Sequence, residues 1–400
     1  MLVTATKNLA ADSGDRSPVR HAGAWAHRIS ATWIIGLRAD LVFLSGGVVV
    51  GYAIVFAYTV WRFDVTLLWF AWLAVLGGPH LFATYTRTYF SRAERQSRAG
   101  LLWSSLGLFL VSPVIAVLIG ASSVAGFAWH RASLLGFIAA SLWAYWHLIR
   151  QHYGLVRLYG RKHDDRDKID YRIDWLLVHV GLLAPFVALL AGHPELRANL
   201  QLPPDAPGAA GFESVNWLKD LCLSALGLVV AAFLVRQIYR ATKGRRVNGP
   251  KLILLLLVVP YYFFICTSSE VQAAPLFAVA PLLAIPHDLQ YHAMVWLYNR
   301  NQKPAVPEGG QSGAIIAVSL YAAGALVFGV VLATLSCSVD RALACAPLFY
   351  DATPTVLAGL SVRDILYTTF YGFFLHHYVI DQRIWKPDRD PRVAKGLGVG

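Results

Sequence analysis

Two stretches of the chain place a pair of histidines five residues apart at the polar end of an apolar run. The stretches are WHLIRQHYGLVRLYGRK, residues 146–162, and PHDLQYHAMVWLYNRN, residues 286–301. Neutral imidazole is a common ligand of iron, copper and zinc, and intramembrane histidines also relay protons. A lone histidine near a helix end is usually an interfacial residue, but two pairs in the same setting indicate a shared role.

Three more histidines occupy the same setting. One lies in GGPHLFATYTRTYF, and the other two form a doublet in FFLHHYVIDQRIWK. The candidate metal ligands are therefore His80, His147, His152, His287, His292, His376 and His377.

Two carboxylates lie close to these histidines in the sequence. Asp381 follows His377 by four residues, about one helical turn, and is either a ligand or the acceptor that orients an imidazole. The competing interpretation is an ion pair with Arg383 or Lys386. Asp288 adjoins the first histidine of the second pair and could orient a ring in the same way.

The apolar runs that carry these residues are typical of a helical membrane protein. Hydrophobic residues make up 56% of the chain and charged residues only 14%, whereas a globular domain has about 25% charged residues. Runs of roughly twenty apolar residues, enough to cross a bilayer, recur along the whole length. We expect an all-α, polytopic fold of about ten transmembrane helices. Their expected limits are 41–61, 65–86, 100–120, 131–150, 173–192, 216–236, 251–269, 272–298, 312–335 and 355–380.

The distribution of positive charge predicts the orientation of these helices. Positive residues collect after the even-numbered runs, and the exits of the odd-numbered runs are poor in them, which places both termini in the cytoplasm. We expect a cytoplasmic segment 1–40, a single transmembrane domain 41–382 and a cytoplasmic tail 383–400, in a multi-pass protein of the cell inner membrane. The cytoplasmic loops account for the net charge of +12, so we expect no nucleic-acid partner.

This topology brings the seven histidines to one depth. All of them lie on even-numbered runs, which pass from outside to inside, so they form a layer near the cytoplasmic surface. Ligation of one or two metal ions is the best explanation of such a layer. We expect His130 and His193 at the opposite face, whereas His179 lies at the right depth but belongs to no motif.

The spacing within each pair restricts how a metal can be bound. Five residues of an α-helix turn by about 500°, so the two side chains point roughly 140° apart. Either a π-bulge brings both rings of a pair to the same ion, or the two rings face different ions. The second option corresponds to a dinuclear centre.

The pairs His147–His152 and His287–His292 and the doublet His376–His377 resemble the histidine boxes of integral-membrane di-iron enzymes, the fatty-acyl desaturases and alkane hydroxylases. The resemblance implies iron at the cytoplasmic membrane face. No complete HxxHH or EHxxGHH box is present, and ten spans exceed the usual number in those families. The carotenoid-cleaving membrane dioxygenases, with four histidines around one iron, are a second analogy. Taken whole, GGPHLFATYTRTYF and HHYVIDQRIWK resemble stretches of a group of bacterial polytopic membrane proteins.

Two functions follow as hypotheses. The first is a metal-dependent oxidoreductase, with di-iron favoured and copper, zinc or manganese open as alternatives. It would act on a lipophilic small molecule that enters from the lipid bilayer, with electrons from a donor. The second is a membrane transporter or a metal- or haem-handling protein that uses the same histidines.

The four cysteines include one pair suited to a disulfide. Cys337 and Cys345 both fall in the loop after the ninth run, which we expect on the outer side. An oxidising compartment permits a bond between them, but spacing alone leaves the question open.

Overall fold

The computed structural model describes residues 29–121, 127–165, 167–199, 210–302, 310–339, 355–357 and 360–399, and these are almost entirely helical. The helices are α1 Leu37–Ala39, α2 Gly47–Thr59, α3 Val65–Trp72, α4 Gly78–Arg87, α5 Arg92–Ser97, α6 Ala99–Ser105, α7 Leu108–Ala121, α8 Phe127–Lys162, α9 Lys168–Gly192, α10 Pro194–Asn199, α11 Ala210–Thr242, α12 Gly249–Thr267, α13 Ser269–Gln272, α14 Leu276–Gln302, α15 Gly310–Val339, α16 Val362–Ile384 and α17 Pro391–Gly396. Two π-helical segments, Asp40–Ser45 and Leu73–Gly77, join α1 to α2 and α3 to α4. The expected all-α fold is confirmed.

Four short strands form two pairs outside the helices. β1 (Ile29–Ser30) runs parallel to β2 (Val247–Asn248), and β3 (Thr355–Leu357) runs antiparallel to β4 (Leu360–Ser361). The last predicted span, 355–380, was therefore wrong over its first residues. The Ser361 side chain accepts a hydrogen bond from the backbone N–H of Asp364, whose carboxylate accepts from the N–H of Ser361, so this capping box starts α16 at Val362.

Within the described residues, six helical segments are long and apolar enough to cross a membrane, as expected of a membrane protein. They are Val65–Arg87, Ala99–Leu118, Lys168–Gly192, Trp217–Thr242, Gly249–Thr267 and Ile316–Ser338. The bent pair Leu37–Ser45 and Gly47–Thr59 counts as a seventh if it forms one span. The other three predicted spans fall on α8, α14 and α16, whose described residues do not meet the same criterion. Those three helices carry six of the seven candidate histidines.

Two apolar clusters form the core around these polar helices. The larger one joins α8, α9, α12 and α14 through side chains such as Ile149, Leu182 and Tyr262. The smaller one forms where the π-helical segment Leu73–Gly77 meets α14, α15 and α16, and includes Ile285 and Leu332. Both clusters border the histidines described below.

Two glycines allow α15 to cross close to the start of α4. A Cβ on Gly329 would lie 2.2 Å from the carbonyl oxygen of Ala74, and a Cβ on Gly78 would lie 2.5 Å from the Cα of Gly329. Contacts this short require small residues, as is usual where membrane helices approach closely. The crossing fixes the position of His80, two residues after Gly78.

A proline inside α14 precedes the second histidine pair. Pro286 has no N–H to donate to the carbonyl of Leu282, which leaves that oxygen without its helical partner. The buried hydroxyl of Tyr261 donates to this oxygen at 2.5 Å, and that of Tyr262 donates to Leu283 at 2.7 Å. The two tyrosines of α12 therefore donate hydrogen bonds to the carbonyl oxygens of α14 that precede His287.

The C-terminal segment packs back on the bundle. α17 lies against α14, with Val393 and Leu397 buried in the larger apolar cluster. A Cβ on Gly396 would lie 2.4 Å from the ring of Tyr298 on α14. Residues 383–399 are thus part of the fold.

One cysteine forms a disulfide. Cys337, near the end of α15, is disulfide-bonded, whereas Cys222 and Cys266 are free. Cys345 lies outside the described residues.

Candidate metal centre

Four buried histidines from four different helices converge inside the bundle. His80 lies on α4, His147 on α8, His287 on α14 and His377 on α16. Their ring centroids form a closed circuit, with separations of 4.7 Å from His80 to His287, 5.1 Å from His287 to His147, 5.0 Å from His147 to His377 and 4.5 Å from His377 to His80. We call these four residues the histidine centre.

The ligand atoms are close enough to share an ion. One potential ligand atom each from His80, His287 and His377 lie within 4.8 Å of one another, and so do those of His147, His377 and Asp381. Metal–nitrogen bonds of about 2.1 Å place neighbouring ligand atoms roughly 3–3.5 Å apart. The group can therefore hold a metal ion after small side-chain movements.

Unsatisfied ring nitrogens support this fit. Nδ1 of His80, Nε2 of His147 and Nδ1 of His287 are buried without a hydrogen-bond partner. Nε2 of His80 faces Nε2 of His377 at 2.8 Å, so these two atoms share at most one proton or present two lone pairs to each other. Buried polar atoms are normally paired, and a cation at the centre of the four rings would satisfy several of these nitrogens.

A hydrogen-bond chain couples the tautomer of His377 to the charge of Asp381. Nδ1 of His377 lies 2.7 Å from the hydroxyl of Thr84, which lies 2.8 Å from that of Tyr291, which donates to Oδ1 of Asp381 at 2.7 Å. When Asp381 is ionised it can only accept, so Tyr291 donates to it. The hydroxyl of Thr84 must then donate to Tyr291, and His377 must donate its Nδ1–H to Thr84. Nε2 of His377 then carries a lone pair directed at the other imidazoles.

Asp381 also borders the centre directly. Its Oδ2 lies 3.7 Å from Nε2 of His377 and 3.9 Å from Nε2 of His147. It forms no ion pair with Arg383 or Lys386, so that interpretation of the sequence was wrong for this carboxylate. Among the described residues, the hydroxyls of Tyr291 and Thr84 lie 2.7 and 3.5 Å from its Oδ1, and Trp385 and Arg87 also interact with this carboxylate.

The second carboxylate lies on the other side of the centre. Oδ1 of Asp288 is 3.7 Å from Nδ1 of His80, and Oδ2 accepts the indole N–H of Trp72 at 2.8 Å. A carboxylate beside the outer nitrogen of an imidazole is the usual device that orients a metal-binding histidine. Asp288 is in position to do this for His80 on α4. It does not do so for His287, its neighbour in the sequence on α14.

The first histidine of each pair enters the centre, and the second lies beside it with other hydrogen-bond partners. His152 packs its ring against Tyr262, with Nδ1 at 3.0 Å from the carbonyl of Leu148. His292 has Nδ1 at 3.2 Å from the hydroxyl of Tyr321, and its ring centroid is 6.4 Å from that of His80. Both α8 and α14 are regular α-helices here, so no π-bulge brings the members of a pair together.

The doublet divides in the same way. Whereas His377 joins the centre, the buried ring of His376 stacks on Tyr85 and places Nε2 2.8 Å from the hydroxyl of Tyr89. The structure therefore brings together His80, His147, His287, His377 and Asp381, and leaves His152, His292 and His376 in separate surroundings.

The remaining histidines lie elsewhere. His179 on α9 stacks on Trp175 with ring centroids 4.3 Å apart, and His193 caps the C-terminus of α9, with Nε2 3.1 Å from the carbonyl of Ala274. The side chain of His130 lies outside what the structure describes.

Three residues that bear on the centre were missed in the sequence. Thr84 follows His80 by four residues and Tyr291 follows His287 by four. Helical periodicity could therefore have placed each hydroxyl on the same helix face as its histidine. Trp72 reaches Asp288 from α3, and no spacing rule could have paired residues 216 positions apart.

A π-helical segment precedes His80. Leu73–Gly77 has an extra residue per turn directly before Gly78 and Pro79, where the chain must also accommodate the missing N–H of the proline. The sequence analysis considered a π-bulge between the members of a histidine pair, but the structure places it one turn before a single histidine. π-bulges are frequent at functional sites.

Comparisons of the chain with protein-family models, with curated proteins and with solved structures give no match. The chemistry of the centre must therefore be inferred from its own atoms.

The donor set defines what the centre can bind. Four imidazoles and one carboxylate suit borderline metals such as iron, copper, zinc or nickel better than calcium or magnesium, which prefer oxygen. Structural zinc sites are usually rich in cysteine, and the described residues place no cysteine in the group.

Proposed function

We propose that this protein is an integral-membrane metalloprotein that binds one metal ion at His80, His147, His287 and His377, and that it is an iron-dependent oxidoreductase acting on a lipophilic substrate. The observation that carries the proposal is the closed circuit of four buried imidazoles with three unpartnered nitrogens. Bound iron would supply the ability to activate O₂ and to exchange single electrons.

One ion fits the geometry better than the di-iron centre favoured by the histidine-box resemblance. His377 belongs to both groups of potential ligands, and its free Nε2 can bind only one ion. The second histidines of the pairs, which a dinuclear centre would need, pack against Tyr262 and Tyr321. The arrangement is closer to the second analogy of the sequence analysis, four histidines around one iron.

The side chains of the centre have separable roles in this proposal. Thr84 and Tyr291 hold the tautomer of His377, so that its lone pair faces the ion. Asp381 is in position either to complete the coordination or to accept a proton from a molecule bound there. Burial of the whole group excludes bulk water, which strengthens every electrostatic interaction within it.

An apolar cleft supports a lipophilic substrate. It lies between α2, α3 and α14, and its lining includes Tyr58, Leu68, Trp69 and Leu282. Trp72 also lines it and donates to Asp288 beside His80, so one residue borders both the cleft and the centre. The cleft is about 30 Å³, so it would admit only the end of an acyl or isoprenoid chain that arrives laterally from the bilayer, and an electron donor would act at the cytoplasmic face of the inner membrane.

The geometry does not favour the alternative of a haem protein. Ring centroids 4.5–5.1 Å apart leave no space for a porphyrin among the four imidazoles. Transport of metal ions or protons remains an outcome that the test below separates from turnover.

The test is the metal content of two neighbouring variants. The purified wild-type protein should hold about one equivalent of iron by elemental analysis. His377→Ala should hold less than about a tenth of that, because it removes a ligand common to both groups, whereas His376→Ala should keep it, because that ring faces Tyr85 and Tyr89. Both variants should remain inserted, since apolar helices hold the bundle.

Four results would contradict the proposal. Absence of any transition metal from the wild-type protein would exclude the centre, and equal loss in both variants would point to general damage. Two equivalents in the wild type would restore the dinuclear version. If the metal is present but a proteoliposome assay shows metal or proton flux that depends on His377, the transport alternative replaces the oxidoreductase.

A further inference from the structure

A groove lined by aromatic side chains and arginine lies at the surface between the ends of α8 and α9, on a different side of α8 from His147. Tyr153, Tyr171, Arg172, Trp175 and Leu176 line it. Trp175 and Leu176 are about 40% exposed, so their apolar surfaces face the lipid. We call this the arginine–aromatic groove.

Three arginines surround the groove. Arg172 lines it, Arg157 places its guanidinium 3.7 Å from the centroid of the Tyr171 ring, and Arg150 acts electrostatically on both Tyr153 and His179. Among the described residues, no carboxylate lies within ion-pair distance of any of the three.

Neighbouring arginines behave differently. Arg236 and Arg240 on α11 bind Asp170 on α9 at 2.6 and 2.5 Å, and Arg245 binds Asp167 at 2.8 Å. Among the described residues, these cations thus pair with carboxylates of the chain, whereas no carboxylate lies within ion-pair distance of the three groove arginines. Unpaired positive charge beside lipid-facing aromatic rings indicates a negative partner from outside the chain.

A buried histidine adds a second, independent sign of a ligand. The ring of His179 contacts three aromatic rings, with centroid distances of 4.3 Å to Trp175, 5.3 Å to Trp146 and 5.2 Å to Tyr153. Its Nδ1 is 2.8 Å from the carbonyl of Trp175, and its Nε2 is buried with no partner. Two of the three surrounding rings, Trp175 and Tyr153, line the groove, so His179 lies directly behind its wall.

We propose that the arginine–aromatic groove binds the headgroup of one anionic phospholipid, with its acyl chains along the exposed faces of Trp175 and Leu176. The guanidinium groups of Arg150, Arg157 and Arg172 hold the phosphate. Planar guanidinium groups match the geometry of phosphate oxygens. Basic pockets between membrane helices on the cytoplasmic side are typical sites for such headgroups, and the arginines follow the fourth predicted span on that side.

The experiment uses the full-length protein in detergent and native mass spectrometry. Dioleoylphosphatidylglycerol is the anionic probe and dioleoylphosphatidylcholine, with the same chains, the zwitterionic one. The wild-type protein should retain one molecule of phosphatidylglycerol at lipid concentrations where phosphatidylcholine is lost. The variant with Arg150→Gln and Arg172→Gln should bind phosphatidylglycerol at least about tenfold more weakly, since two of the three guanidinium groups that hold the phosphate are removed.

The matched control is Arg300→Gln. Arg300 is also exposed, without a carboxylate partner among the described residues, and lies 4.5 Å from the centroid of the Trp296 ring, but on α14 away from the groove. It should bind phosphatidylglycerol as the wild type does. All three proteins should keep the same metal content, which separates this site from the histidine centre.

Equal retention of both lipids, or equal loss of affinity in Arg300→Gln, would overturn the proposal in favour of non-specific attraction. Displacement of phosphatidylglycerol by millimolar inorganic phosphate would also overturn it, because the groove would then be a site for the free anion.

Discussion

Two buried polar clusters lie in the same bundle, and their groups are satisfied in opposite ways. In the first, which we call the ion-pair cluster, Asp165, Asp170, Asp174, Arg240 and Lys251 join α9, α11 and α12, and each charge has a partner of opposite sign. In the histidine centre, three of the four imidazoles have a buried nitrogen with no partner. Every charge of the first cluster has its counter-charge within the chain, whereas a cation at the second would have to come from outside.

The difference separates a structural role from a functional one. Lys251 is 2% exposed and lies 2.7 Å from Asp174, so the pair links α12 to α9. Neutral imidazoles have no mutual attraction of this kind, and their convergence from four helices leaves three buried ring nitrogens without a hydrogen-bond partner. Such an arrangement contributes little to folding by itself, and its placement is explained by the ligand it can hold.

The comparison predicts the largest effect on stability in the ion-pair cluster. Lys251→Ala leaves the carboxylate of Asp174 buried and unpaired, which should lower the free energy of unfolding by about 3–5 kcal/mol. The metal content per folded molecule should stay at the wild-type value. Denaturant unfolding followed by tryptophan fluorescence, together with elemental analysis of the folded fraction, measures both quantities.

Arg245→Ala serves as the control for this prediction. Its side chain is half exposed and its pair with Asp167 lies at the surface, so the loss should be below about 1 kcal/mol. A Lys251→Ala protein as stable as this control, or one that loses its metal while folded, would remove the distinction between the two clusters.

The sequence predicted the helices of this fold well but their polar interactions only in part. A helix occupies most of each of the ten expected spans, because apolar runs are a one-dimensional signal. The convergence of His80, His147, His287 and His377 also followed from a common depth. The depth argument could not choose between His376 and His377, or between the members of a pair, because the rotation of each helix is set by packing.

Crossings such as Gly78 on Gly329 decide that rotation, and they depend on contacts between residues far apart in the chain. For the same reason the sequence did not reveal the link from Trp72 to Asp288 or the chain from His377 to Tyr291.

A smaller effect tests whether the histidine centre depends on its surrounding hydrogen bonds. Thr84→Val keeps the shape of the side chain but removes the acceptor that holds Nδ1–H of His377, so either nitrogen of that ring can carry the proton. We expect the affinity for the metal to fall about 10–100-fold, with the fold retained. Competition with a chelator of known affinity measures the change.

Thr86→Val is the matched control, since Thr86 lies two residues further on α4 and its hydroxyl donates to the backbone carbonyl of Ala83. It should bind metal as the wild type does. Equal affinity in all three proteins would mean that the hydrogen-bond chain does not prepare His377 as a ligand.

The smallest effect concerns the edge of the ion-pair cluster and its response to pH. The backbone N–H of Ile169, with Arg245 and Arg236, holds the pKa of Asp167 below its ordinary value of about 3.9. Because the folded pKa is lowered, the stability this carboxylate contributes is fully present above the ordinary value and is lost as the pH falls through the folded one.

Asp167→Asn keeps a side chain that can cap α9 but removes the charge. Its unfolding free energy should be lower than that of the wild type by less than about 1 kcal/mol at pH 7, since the pairs are partly exposed, and the difference should shrink as the pH falls below the ordinary pKa of an aspartate. A difference that stays constant as the pH falls would show that Asp167 acts through its cap and not through its charge, and the ion-pair cluster would then end at Asp170.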